Sequence, residues 1–236
     1  MRAATFALVI LLVTSTLSLA AGEPSPIEDH NFMLEAGRNR DNAVLQYNSF
    51  FFRGATAIEL AQEWAVSSPK HQLGYTIPIY SDERTGLGDV TLNYRYQLLG
   101  EGESRVALAP RVSLILPTRS AHFGERSGGV QVNLPLSASI TSRLATHTNV
   151  GATWFVDRGE RELNLGQSIA FDVTERMAVS VDAAYTRCGG GSHLFVVRPG
   201  VQFSLDGPRG MSIAPGVAFP TGGGVLVYVA LEHPLN

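Results

Sequence analysis

The sequence predicts an all-β protein, a single antiparallel transmembrane β-barrel of about twelve strands behind an N-terminal signal peptide. Three observations carry this. Apolar and polar residues alternate with a period of two, repeatedly, from about Val44 to Glu232. The alternating stretches run to about 10–13 residues, whereas soluble strands average about 5–6 and a tilted membrane strand needs about 9–11. Their polar faces hold too many Arg, Asp and Glu for the inside of a dry sandwich, and their apolar faces are too continuous for water. A barrel with lipid outside and a wet or charge-paired interior suits both faces, and closing it leaves no unpaired edge.

The chain divides into three parts. Residues 1–20 read as a secretory signal, with Arg2, an apolar core over 6–13 and a small-residue exit at Ser18-Leu19-Ala20. Residues 21–42 are polar, carry Pro24 and Pro26, and read as an N-terminal extension; residues 43–236 make the barrel. Export and barrel together predict the bacterial outer membrane, with its lipid as a partner. The net charge of −3 lacks the basic footprint of a nucleic-acid binder. No apolar run after the leader reaches the roughly 18–20 residues of a membrane-spanning helix. Cys188, the single cysteine, excludes an internal disulfide and reads as an idle, exposed thiol.

Twelve windows fall near residues 44–53, 56–67, 71–80, 87–99, 104–117, 128–141, 144–157, 161–174, 176–186, 193–205, 210–219 and 223–232. Ten or fourteen strands are also compatible, and Phe50-Phe51-Phe52 blurs the two faces of the first window. The fourth window sets Val90, Leu92, Tyr94, Tyr96 and Leu98 against Asp89, Thr91, Asn93, Arg95 and Gln97; helical spacing fits it poorly. Pro110, Pro135, Pro199 and Pro215 fall inside windows and read as bulges or bends, because each removes a ladder donor. Alternate connections are short (67–71, 142–143, 174–176) or longer and more charged or glycine-rich (118–127, 187–192), which puts the short set in the periplasm and 118–127 outside. Two aromatic girdles follow: Trp154, Tyr185 and Phe219 at one interface, and Trp64, Tyr96, Phe171 and Phe203 at the other.

At Gly86-Leu87-Gly88-Asp89-Val90-Thr91-Leu92-Asn93-Tyr94-Arg95-Tyr96, then Ala107-Leu108-Ala109-Pro110-Arg111 and Leu116-Pro117-Thr118, the chain resembles the outer-membrane proteins named for the meta-cleavage (MetA) pathway of phenol degradation. In that family a Gly-Leu-Gly-Asp strand start is followed, one hairpin later, by a strand closing in Pro-Thr-Gly. Arg119 stands here where that glycine would fall, and Pro220-Thr221-Gly222 gives a similar ending later. The resemblance implies an outer-membrane barrel that serves as a channel for hydrophobic or aromatic compounds.

Glu59, Glu63, Asp89, Arg95, Arg105, Arg111, Glu162, Asp172, Asp182 and Arg198 form the charged inward set. Of these, Glu63, Asp89, Arg95, Arg111, Asp172, Asp182 and Arg198 are the candidates for a solute path, since charge at membrane depth persists only when paired or hydrated. The competing reading is a lumen filled by salt bridges that merely stiffens the wall. An outer-membrane hydrolase comes third: His147-Thr148-Asn149 lacks a serine two residues from the histidine, and Ser192-His193 falls in a glycine-rich stretch. The six histidines show no metal-ligand spacing, and Gly189-Gly190-Gly191 lacks the Lys-Ser/Thr of a phosphate loop. The expectation is a non-enzymatic barrel with no catalytic set, metal or cofactor, passing or binding small hydrophobic or aromatic solutes. A non-conducting structural barrel is the alternative.

Overall fold

The computed structural model of the chain describes residues 43–52, 54–100, 105–205 and 211–235. The leader and the polar extension fall outside them. In chain order the strands are β1 (Ala43–Phe52), β2 (Ala55–Val66), β3 (Ser68–Ser81), β4 (Thr85–Leu87), β5 (Val90–Tyr96), β6 (Val106–Leu108), β7 (Arg111–Leu116), β8 (Gly129–Ser139), β9 (Leu144–Phe155), β10 (Glu160–Thr174), β11 (Met177–Cys188), β12 (His193–Ser204), β13 (Ser212–Pro220) and β14 (Leu226–Leu235). Neighbours pair antiparallel in chain order, and β1 pairs with both β2 and β14. Because β2 also pairs with β3, the sheet closes on itself. β4 and β5 both pair with β3 and form one interrupted stave; β6 and β7 both pair with β8 and form another. The ring therefore has twelve staves, and their bounds match the alternation windows to within a few residues.

Closure follows from the chemistry of the surroundings. In hydrocarbon an unpaired peptide group costs several kcal/mol, so a lipid-facing sheet must have no edge. The staves lean, as closing a barrel requires. Register runs from Glu63, close to the end of β2, through Gly74, Asn93, Ser113, Gln131, Thr153 and Glu162 to Cys188, the last residue of β11. The rung thus climbs from one end of the barrel to the other. We call the end where β1 starts and β14 finishes the near end, and its opposite the far end.

The two faces invert the pattern of a water-soluble protein. Leu92, Tyr94, Val112, Leu114, Val130, Val132, Leu134 and Val150 are exposed on the outside, while Asn93, Arg95, Ser113, Gln131, Asn133 and Asn149 between them are buried within. An apolar belt of this kind is stable only against acyl chains. Trp64 (37% exposed) stands near the near end of β2, and Trp154 (41%) near the far end of β9. Phe171 and Phe203 join the first girdle, and Phe219 the second.

The prolines mark breaks in the ladder. Pro110 occupies the gap between β6 and β7, and Pro135 faces that gap from β8, where its carbonyl accepts from Ala109 N–H at 3.2 Å. The β12–β13 pairing skips Pro199 and Pro215. Connection length separates the two ends less cleanly than the sequence suggests. The near-end turns at Ser67 and 175–176 are tight, but residues 97–105 run long, because pairing continues through the Leu99–Leu108 bridge after β5 ends. The longest connection, residues 117–128, is at the far end, and it contains a single 3-10 turn, Ala121–Phe123.

The chain has only two tryptophans, so native fluorescence reads both girdles. Reconstitution into lipids brominated along the acyl chain is expected to quench the emission of both Trp64→Phe and Trp154→Phe single variants. Unquenched emission from either remaining tryptophan would mean that its strand is turned inside out.

Candidate functional site: the two walls of the lumen

The polar wall is built by β2, β3, β5, β7, β8 and β9. Gln72, Arg95, Arg111 and Asn133 oppose one another in succession across β3, β5, β7 and β8. Arg95 donates to Gln72 Oε1 through Nε (2.8 Å) and also through Nη2, and its Nη2 pairs with Glu63 Oε2 at 3.3 Å. Glu63 has room because Gly74 opposes it: a Cβ there would meet the Glu63 side chain at 2.9 Å. Gly151 makes the same room for Asn133, whose Oδ1 accepts from Asn149 Nδ2 at 3.2 Å. Arg111 and Glu59 are buried beside this cluster, so two arginines and two glutamates meet on one side of the lumen. Breaking such a buried pair by removing one partner costs about 3–5 kcal/mol.

The opposite wall carries a second pair. Asp182 on β11 faces Arg198 on β12 in direct register, and Arg198 Nη2 donates to Asp182 Oδ2 at 3.2 Å. The Arg198 guanidinium lies 5.3 Å over the ring of Tyr228 on β14, a cation–π geometry. Tyr228 lies flat against the wall because Gly216 and Gly200 stand in line beside it; a Cβ at Gly200 would come within 2.5 Å of its hydroxyl, and one at Gly216 closer still. Towards the far end an apolar cluster covers this wall and reaches round onto the far ends of β2 and β3. Ala57, Tyr80, Ala184, Leu194, Val196, Ala218, Leu226 and Tyr228 form one buried cluster on the inner face. Around a twelve-stave ring β5 stands opposite β12, so the polar wall faces the part of the apolar cluster that β12 carries, Leu194 and Val196.

A loop narrows the far mouth. Residues 117–128, expected outside, fold back onto the inner face, where Phe123 packs against the Tyr80 ring at 5.6 Å. The anchor is the Gly86-Leu87-Gly88-Asp89 segment that interrupts the fourth stave. Asp89 accepts from Arg119 N–H through Oδ1 (3.1 Å) and from Arg119 Nε through Oδ2 (2.9 Å). Ser120 Oγ accepts from Leu87 N–H, and Thr118 Oγ1 accepts from Val90 N–H while donating to Gly88 C=O. A Cβ at Gly86 would strike Ser120 Oγ at 2.5 Å, and one at Gly88 the Tyr80 ring at 2.6 Å. The two glycines are therefore where the loop and the neighbouring stave come closest.

The predicted path residues separate into three groups. Glu63, Arg95 and Arg111 come together on the polar wall, Asp182 and Arg198 pair on the other, and Asp89 belongs to the loop anchor. Asp172 and Arg105 do not join them: both are exposed at the near rim, Asp172 beside a register shift in β10. Glu162 lies one rung-step from Cys188, whose Sγ is 3.6 Å from Glu162 Oε1. Ser137 and His147, ten residues apart in sequence, oppose each other on β8 and β9 with Ser137 Oγ and His147 Nδ1 at 2.8 Å. The rung continues to Ser168 and then Asp182, which Arg198 engages. Only the strand register reveals this pairing, and alternation in a single strand carries no signal for it.

A closed antiparallel ring, an outer belt of apolar side chains with aromatic girdles, and a charged interior define an outer-membrane β-barrel. No protein-family model and no curated protein sequence matches the chain. Among solved structures the fold is similar to the KdgM porin, at TM-score 0.62 and 13% identity over 82% of this chain and 99% of that one. It is likewise similar to the NanC porin, at TM-score 0.63 and 7% identity over 82% of this chain and 100% of that one. The COG4313 outer membrane channel from Pseudomonas putida F1 aligns at TM-score 0.59 and 13% identity over 87% of this chain and 98% of that one. The chain has the porin-type barrel fold.

Replacing Asp89 by Ala leaves Arg119 without its carboxylate and is expected to lower stability by about 1–3 kcal/mol. It should also release the loop. Trypsin added to intact cells then cuts at Arg126 in the variant and spares it in the wild type. Equal cleavage of the two would show that the Asp89–Arg119 pair does not hold the loop.

Proposed function

We propose that the barrel is a channel for small hydrophobic or aromatic solutes crossing the outer membrane. One observation carries this reading: on the side formed by β11–β14 with β2 and β3, the far half of the inner wall is largely apolar. Tyr80, Leu194, Val196 and Leu226 face the lumen there with Phe123, where a water-filled porin would present polar side chains. Such a surface attracts an apolar solute out of water at about 25 cal/mol per Å² removed from it. The polar wall beyond supplies a hydrogen-bonding route onward. The resemblance of residues 86–118 to the meta-cleavage barrels supports the same solute class. One of the similar porins has been seen in complex with disordered oligogalacturonate, which makes solute binding within this fold a precedent.

The orientation that accompanies this reading puts the near end in the periplasm and the loop of residues 117–128 outside. A solute would then meet Phe123 and the apolar wall first, and the ion-paired waist afterwards. No proton-transfer or nucleophilic step is needed, and Ser137–His147 is read as a hydrogen bond of the lumen wall.

A second reading, a structural barrel that conducts nothing, is favoured by the burial of the lumen residues. Ser113, Asn133 and Asn149 are each only 1% exposed, which is low for the lining of a wide aqueous pore. Uptake and conductance separate the two. Cells with the barrel should take up a labelled aromatic faster than cells without it, and Leu194→Asp combined with Val196→Asp should abolish the difference. In planar bilayers Arg95→Gln combined with Arg111→Gln should shift ion preference towards cations, since fixed charge at a constriction sets the potential an ion crosses. Equal uptake with and without the barrel, and no current from wild type or variant, would favour the structural reading.

A further inference from the structure

The polar wall holds one guanidinium with nothing to bind. Arg111 is only 7% exposed, yet among the described residues its side chain has no hydrogen bond or ion pair, and its buried Nε is without a partner. Glu63 is engaged by Arg95, and Glu59 lies near enough to act on Arg111 through space. Directly across the ladder, Asn133 has the same defect. Its Oδ1 accepts from Asn149, which leaves Asn133 Nδ2 and Asn149 Oδ1 unpaired in sites that are 1% exposed. Turning both amides over would still leave one donor and one acceptor unused. Ser113 Oγ, on the next rung, is also unpaired and 1% exposed. Buried polar groups are nearly always satisfied, and an unpaired charged donor is the most costly exception.

These orphans are mostly donors, or groups able to donate, and they converge from β7 and β8 on the lumen. An arginine fork with an adjacent amide N–H fits the two oxygens of a carboxylate. The two nearby glutamates disfavour a doubly charged anion and leave room for a single negative charge. Across the lumen stand Leu194 and Val196 on β12 and Leu226 on β14, against which a ring or short hydrocarbon tail can lie. We infer that Arg111 and Asn133, with Ser113, form a subsite for the carboxylate of an amphipathic organic acid, whose apolar part rests on the Leu194–Val196–Leu226 side. This rests on the channel reading and narrows its solutes to aromatic or aliphatic monocarboxylates.

Calorimetric titration of the full-length protein in detergent tests the subsite without requiring transport. The probes are benzoate, which has both features, benzyl alcohol, which lacks the charge, and acetate, which lacks the ring. Benzoate should bind at least about tenfold more tightly than either. Arg111→Gln should weaken benzoate by about tenfold or more, and Arg143→Gln, in an exposed near-end turn, should leave it unchanged. Heat-modifiable migration on gels reports whether each variant is a folded barrel. Where Arg111→Gln does not fold, Arg111→Lys decides, since it keeps the charge and loses the fork, and weaker benzoate binding is again expected. Benzoate binding no tighter than acetate, or unaffected in a folded Arg111 variant, overturns the subsite. Binding without current or uptake keeps the subsite and removes the channel; current and uptake without benzoate binding do the reverse.

Discussion

Every backbone N–H and C=O of this chain that lies at membrane depth must find its partner within the protein, and the rest of the structure depends on that requirement. It forces the sheet to close through β1 with β14 and β2 with β3. It also decides where the ladder can be interrupted. At Gly88-Asp89 the fourth stave leaves its neighbour, and three donors around the break are taken up: Gly88 N–H donates to Pro78 C=O, Val90 N–H to Thr118 Oγ1 and Leu87 N–H to Ser120 Oγ. The anchoring of the 117–128 loop is thus a repair of the backbone as much as a placement of Phe123.

Closure also dictates what the interior can be. With every second residue committed to lipid, the remaining set is all that can fill or line the lumen. Small residues beside large ones fit that set to the curved wall. Gly74 yields to Glu63, Gly151 to Asn133, and Gly200 and Gly216 to Tyr228. The result is asymmetric, with arginines, glutamates and amides on one wall and alanines, leucines and tyrosines on the other. That asymmetry distinguishes this lumen from a uniformly polar one of equal strand number.

Much of the fold was legible because a period of two is a local signal. Twelve windows, both girdles and the placement of Glu63, Arg95, Arg111, Asp182 and Arg198 on the inner face follow from alternation, and the twelve staves agree. What alternation cannot carry is register and loop path. The Ser137–His147 contact, and Tyr228 lying over two glycines, depend on how strands slide against each other. Asp172 kept the parity of an inward residue, but the strand runs past the wall there into an exposed, shifted rim. Arg119 stands out in the sequence only as a departure from a Pro-Thr-Gly ending. Its carboxylate partner is thirty residues away on a neighbouring stave, and only the folded loop brings them together.

The facing prolines of the fifth and sixth staves have a consequence for assembly. Strands of a barrel can slip by two residues without exposing a single polar side chain to lipid, so hydrophobicity alone does not choose among such alternatives. Pro110 and Pro135 do bear on the choice, because each lacks a donor and in this register both fall at the interruption between β6 and β7. A two-residue slip would bring Pro135 opposite Ala107 or Arg111 and carry its missing donor from the interruption into a paired strand. The pair therefore acts as an alignment key, read at the moment the β6–β7 stave docks on β8, and it penalises misthreaded rings before they seal.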